Sequence, residues 1–103
     1  MATGILGQTT PAATTNTTVY TVPASKTATF NVSMVNTSTG LIAVRLAVSS
    51  TGTPATSEYF EYDTLLPANG VLERGGLVAQ TGENVVVYAS ATGVSVSVYG
   101  YEE

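Results

Sequence analysis

Thr27 to Val35 reads TATFNVSMV. Ala28, Phe30, Val32 and Met34 fall on alternate positions, with Thr29, Asn31 and Ser33 between them. Successive side chains of a strand point to opposite faces, so a period of two means one apolar face and one polar face. A helix would scatter these residues around its axis. The segment therefore has to be a strand with one side buried and one side wet.

The same alternation recurs between Gly, Pro and Asn punctuation. Val19 to Val22 is a short strand stopped by Pro23. Leu41 to Ser50 points Ile42, Val44, Leu46 and Val48 inward, with Arg45 outward beside Ala43 and Ala47. Leu, Ala and Arg are good helix formers, but the strict spacing of the large aliphatics favours a strand. Tyr59 to Leu65 places Phe60, Tyr62 and Thr64 on one face and Tyr59, Glu61 and Asp63 on the other. The PANG stretch turns the chain, with Asn69-Gly70 suited to positive φ. Val71 to Leu77 contains Gly75-Gly76, which suggests a bulge or bend. Asn84 to Ser90 and Val94 to Tyr101 read as a hairpin around ATG, with Val94, Val96 and Val98 inward. About seven or eight short strands and no convincing helix predict an all-β chain: a single antiparallel β-sandwich, jelly-roll-like or immunoglobulin-like.

Residues 1–18 stand apart. They hold no apolar periodicity and no charge, and Thr, Ala and Pro11 dominate. They are expected to form an extended N-terminal arm, with the sandwich domain over 19–103. On that reading Met1 to Thr15 lies on a neighbouring subunit or on the shell beneath it, and removing those residues leaves a folded domain that no longer assembles.

Composition excludes much chemistry. The 103 residues include no Cys and no His, so thiol chemistry and histidine bases or ligands are absent. Only Lys26, Arg45 and Arg74 are basic, against a net charge of −4. Nucleic-acid binding requires a basic patch to displace counterions, and attraction to an anionic membrane requires the same. Charged residues make up 10%, well under the usual share of about 25%. Ser and Thr, about a quarter of the chain, fill the gap. No run approaches the ~20 apolar residues of a membrane span, and MATGILGQTT lacks the basic and apolar regions of a secretory signal. The expectation is synthesis in a cytoplasm.

The densest polar cluster is SEYFEYD, with Glu58, Glu61 and Asp63. Glu61 and Asp63, about 7 Å apart on one strand face, have a spacing that could suit a glycosidase pair or a hard cation. An open strand offers no pocket, and Ca²⁺ takes about six to eight oxygens. The reading is a solvated face, with no catalytic, cofactor-binding or metal-binding residue. Three Asn-X-Ser/Thr triplets, at Asn16, Asn31 and Asn36, follow from Ser/Thr richness. Tyr59, Tyr99 and Tyr101 are more informative, because outward aromatics are enriched at interfaces.

Three stretches resemble the small all-β virion structural proteins of tailed bacteriophages and prophages. They are LGQTTPAATTNTTVYTVPASK (Leu6 to Lys26), YDTLLPANGVLERGGLVAQTGENVVVYAS (Tyr62 to Ser90) and VSVSVYGYE (Val94 to Glu102). The resemblance implies a non-enzymatic protein of the virion without cofactors. It would be a capsid decoration (cement) subunit or a tail or fibre component. Its partners would be the major capsid protein or a tail protein of the same virion, together with further copies of itself. Gln8, Pro11, Thr14, Thr15, Tyr59, Tyr99 and Tyr101 are the expected assembly residues. Sheet edges, defended by a single Lys, are expected to offer a further route to pairing with another chain.

Overall fold

A computed structural model describes residues 3–103 as two packed four-stranded antiparallel sheets. The strands are β1 (Thr3–Thr9), β2 (Thr17–Thr21), β3 (Thr27–Asn36), β4 (Ile42–Ser49), β5 (Tyr59–Leu66), β6 (Val71–Gln80), β7 (Asn84–Ala89) and β8 (Val94–Glu102). A 3₁₀ turn at Thr56–Glu58 is the one helical element among the described residues.

One sheet runs β1-β8-β3-β6 and the other β2-β7-β4-β5. First strand pairs with last, second with seventh, third with sixth and fourth with fifth. The chain is thus one long antiparallel ribbon doubled back between β4 and β5, then rolled into two sheets. That is the strand order of an eight-stranded jelly roll. It decides between the two sandwich topologies left open by the sequence.

The hairpin expected around ATG does not form. β7 pairs with β2 and β4, while β8 pairs with β1 and β3. The linker carries the chain across the sandwich, with Gly93 at φ 119° and its carbonyl accepting from the Thr37 amide (2.8 Å). Both strands have a fully apolar inward face, and each buries more by lying at the centre of its own sheet.

The core lies between the sheets. Phe30, Val32 and Met34 from β3 and Val94, Val96 and Val98 from β8 meet Val44 and Leu46 from β4 and Val85 and Val87 from β7. Each such side chain contributes roughly 1.5–3 kcal/mol when fully buried. One end is pinned by Asn36, which has no exposed surface. Its Nδ2 donates to the carbonyls of Gly40 (2.8 Å) and Leu66 (2.9 Å), and its Oδ1 accepts from the Ser38 amide and hydroxyl. Both amide hydrogens are spent, so this Asn is a loop anchor and not a surface acceptor.

The N-terminal segment differs from expectation. Thr3–Thr9 does not lie off the subunit: it is the edge strand of the subunit's own first sheet, paired with β8 from Thr3↔Tyr101 to Thr9↔Val96. Met1 and Ala2 lie outside the described residues. Backbone hydrogen bonds to a waiting strand edge drive this pairing, and they leave no trace in apolar periodicity. Leu6 alone of β1 packs against the core. The following crossover is tied down as well, by a bridge of Ala13 to Ala89 and the Thr14 amide donating to the Ala89 carbonyl (2.8 Å).

Each of the four edge strands carries a bulge. Register shifts occur in β1 after Ile5, in β2 after Thr18, in β6 at Gly75-Gly76 and twice in β5. The central pairs β3–β8 and β4–β7 run without one. Bulges twist and interrupt an edge, which blunts its pairing with a second chain. The edges therefore do not offer the ready pairing route expected from the sequence.

Candidate functional site

With the edges bulged, the two outward faces are the surfaces that remain. Cross-strand register arranges the outer face of the β1-β8-β3-β6 sheet in rows. Thr3, Tyr101, Thr29 and Val78 form the first row, and Ile5, Tyr99 and Asn31 the second. Gln8, Ser97, Ser33 and Glu73 form the third, and Ser95, Val35 and Val71 the last. Glu73 is the one charged residue in these four rows; beyond the first of them Glu103, paired with Thr27, adds a second at that end. Ile5 is 60% exposed, Val78 61% and Tyr101 38%. The Tyr99 hydroxyl donates to Glu73 Oε2 (3.3 Å), so even that charge is partly engaged. An open groove of about 310 Å³, lined by Gln8, Thr9, Thr10, Ser95, Val96 and Ser97, continues the face beside β1. Gln8 Nε2 donates to Ser97 Oγ across it (3.3 Å).

The seven expected assembly residues separate. Gln8, Tyr99 and Tyr101 share this face. Thr14 and Thr15 are exposed on the crossover between the sheets. Pro11 is buried in the subunit and presents nothing to a partner. Tyr59 lies on the other sheet, opposite Ala47 of β4. Ile5, Val71 and Val78 belong to the first face but were missed. The alternation in β1 and β6 is too short and too interrupted by Gly to assign their side.

The outer face of the β2-β7-β4-β5 sheet is built differently. Ala47 and Val86 are paired on it, yet both are buried. The 50–58 loop folds back across them: a Cβ built on Gly52 would sit 3.9 Å from Thr18 Oγ1 on β2. Glu58 staples this loop, its Oε1 accepting from the Ala55 amide (2.7 Å) and the Ser49 hydroxyl (2.9 Å). Those bonds, the Ala55 amide first, hold the Glu58 carboxyl below the usual carboxylate range.

Beyond the loop, Arg45 occupies the middle of the sheet. On β5 the partners jump from Thr64 (opposite Val44) to Glu61 (opposite Leu46), so Tyr62 and Asp63 both stand against Arg45. Asp63 takes φ 51° to make this bulge. The guanidinium carbon lies 4.2 Å from the ring centroids of both Tyr62 and Tyr88. Arg45 Nε donates to Asp63 Oδ1 at 2.6 Å and Nη2 to Oδ2 at 3.3 Å. Tyr59 meets Tyr62 edge-on, centroids 4.9 Å apart.

The same bulge corrects the expected Tyr59, Glu61 and Asp63 face. Glu61 turns to the side of the sandwich, where it accepts from Thr64 Oγ1 (2.7 Å) and pairs with Arg74 Nη1 of β6 (3.1 Å). Asp63 stays outside with Arg45. Phe60 and Tyr62 are both exposed. Strict alternation fails here because each extra residue reverses the side of those beyond it. Glu61 and Asp63 each answer an arginine and do not form a paired carboxylate site. Among the described residues, no group of three or more His, Cys, Asp or Glu is placed to hold a metal ion.

A third polar element is internal. Tyr20 of β2 donates its hydroxyl hydrogen to Glu102 Oε2 of β8, joining the sheets where the core ends. Burial, and then the Glu102 hydrogen bond, push the Tyr20 phenol pKa up. The resulting stability is full below about pH 10, where the unfolded chain also keeps the phenol protonated. It is lost as pH rises above that value. Thermal unfolding of wild type is therefore expected to fall more steeply above pH 10 than that of Tyr20→Phe. The variant, lacking the donor to a buried carboxylate, should itself lose about 1–3 kcal/mol at neutral pH. Parallel pH profiles of the two proteins would remove this account.

Comparisons with protein-family models, with curated proteins and with solved structures found no match.

Proposed function

We propose that this chain is a bacteriophage virion structural protein, a decoration subunit that docks on the major capsid shell through the outer face of β1-β8-β3-β6. The observation that carries the reading is that face: four rows of side chains with one charge, and exposed Ile5, Val78 and Tyr101 at one end. Its exposed apolar side chains are interspersed with uncharged Thr, Ser, Asn and Gln, the mixed composition that protein–protein interfaces share. Four strands spaced about 4.8 Å apart and some 28 Å long give roughly 500 Å² in projection. With side-chain relief added, that is of the order each partner contributes to a standard interface, about 800 Å². A face this poor in charge imposes a small desolvation cost on docking. Many copies on a lattice would sum modest contacts into a stabilised shell. The sequence resemblance to virion proteins points the same way. A tail or fibre position is the second reading, favoured by the Arg45 and tyrosine cluster on the opposite face.

Purified chain should bind shells that lack it, in a number set by the capsid lattice. The Ile5→Glu/Val78→Glu double variant should keep its melting temperature, because both side chains are exposed, yet lose shell occupancy at least tenfold. Binding to isolated tails at a small multiple of three or six copies would establish the second reading. Equal occupancy by the double variant would rule out this face.

A further inference from the structure

The cluster around Arg45 has the chemistry of a ligand site. Its charge is closed internally, since the guanidinium and the Asp63 carboxylate form a two-point pair. An anion or a cation approaching it gains little net attraction. Hydrogen-bonding capacity nevertheless remains on both partners. Arg45 uses Nε and one Nη2 hydrogen of its five N–H donors, and Asp63 keeps free lone pairs on both oxygens. Asp63 is 48% exposed and Arg45 22%. Beside them stand apolar surfaces open to solvent: Tyr62 at 56% and, opposite Ala43, Leu65 at 62%.

The donors are also held in place. Two rings fix the guanidinium plane, Asp63 fixes its rotation, and the double bulge of β5 sets Tyr62 and Asp63 against it together. Little side-chain entropy is left to lose on binding, which is the condition for useful affinity from a small contact. The matching ligand is uncharged, presents paired donors and acceptors on its rim, and has an apolar face to lay on an aromatic ring. A pyranose has those three properties.

We infer that the Arg45, Tyr62, Asp63 and Tyr88 cluster binds a neutral sugar unit of a polysaccharide, the ring lying on the face of Tyr62 turned away from Arg45 and its hydroxyls addressing Asp63, while Arg45 holds both groups in position. The site does not depend on the proposed shell docking, because it occupies the opposite face of the sandwich. It can be tested on the free chain.

The experiment is an amide ¹H–¹⁵N titration with maltohexaose, cellohexaose, chitohexaose and mannohexaose, with heparin hexasaccharide as the anionic comparator. At least one neutral hexasaccharide should shift Arg45, Tyr88 and the residues from Tyr59 to Thr64. Tyr62→Ala should weaken that binding at least tenfold while the chain stays folded, its melting temperature falling only slightly from the lost contacts with Arg45 and Tyr59. Arg45→Lys, which keeps the charge but not the planar fork, should weaken it as well. Tyr99→Ala, on the other face, should bind like wild type. The inference is overturned if none of the four neutral sugars shifts these residues at 10 mM, if Tyr62→Ala binds normally, or if heparin binds there more tightly.

Discussion

Gly100→Ala should cost about 3–5 kcal/mol, a loss reserved for a few specific mechanisms and a large share of the roughly 5–15 kcal/mol that holds an ordinary domain folded. Gly100 sits in β8, paired with Phe30 of β3 on one side and Gly4 of β1 on the other. A Cβ at this position would lie 2.1 Å from the Thr29 carbonyl oxygen and 2.7 Å from Phe30 Cα. Both are backbone atoms of the central neighbouring strand, so no rotamer change relieves the overlap. Separating β8 from β3 would open the regular centre of the sheet. The φ of 156° adds strain for any residue with a side chain. Gly82→Ala is the internal comparison. It has φ 85° and nothing within 4 Å of its Cβ position, so it should show the conformational cost alone, about 1 kcal/mol. Urea unfolding midpoints of the two variants decide the matter. Equal losses would mean that the close approach of β8 and β3 is not as described.

Removing residues 1–9 should have an effect of comparable size. The deletion takes away the whole backbone ladder between β1 and β8 and the packing of Leu6. It also removes the close contact in which the Gly7 Cβ position lies 2.4 Å from the Val19 carbonyl oxygen of β2. There β1 closes the side of the sandwich. β8 would become an edge carrying Val96 and Val98, and its ladder with β3 has no bulge. Regular apolar edges recruit other chains. The expected outcome is aggregation on expression, or a monomer destabilised by several kcal/mol out of a total of about 5–15. Light scattering and urea unfolding measure the two. A truncated chain that stays monomeric with an unchanged midpoint would return β1 to the role of a detachable arm.

Some of this architecture was legible in the chain. The inward residues of β3, β4 and β8 follow directly from their alternation, and all are buried or packed on the core. The bend expected at Gly75-Gly76 is the bulge opposite Asn31, whose Oδ1 accepts from the Gly76 amide (3.2 Å). Of Asn69-Gly70, in PANG, Asn69 does take a positive φ of 61°, while Gly70 does not. Each is a local property, decided by residues within a few positions of one another.

The candidate sites were legible only in part. Tyr99 and Tyr101 could be placed outward because β8 alternates cleanly to its end. The proposed sugar site could not be assembled from the sequence. Tyr88, Arg45 and Tyr62 lie on three strands, and Tyr62 reaches Arg45 only through a bulge that alternation does not encode. Ile5 and Val78 lie on opposite edge strands and share a face only because β8 and β3 lie between them.

What the sequence determined by itself was strand content, the inward face of each well-alternating strand, and the poverty of charge. Side-chain direction along a strand is set by the covalent period of two. Tertiary structure alone decided which strands pair, where bulges reset the register, and that the N-terminal segment belongs to its own sheet. Backbone hydrogen bonds supply much of the drive for pairing and are nearly the same for every residue type. The choice of partner therefore falls to how completely the two apolar faces can cover each other once the whole ribbon has rolled up.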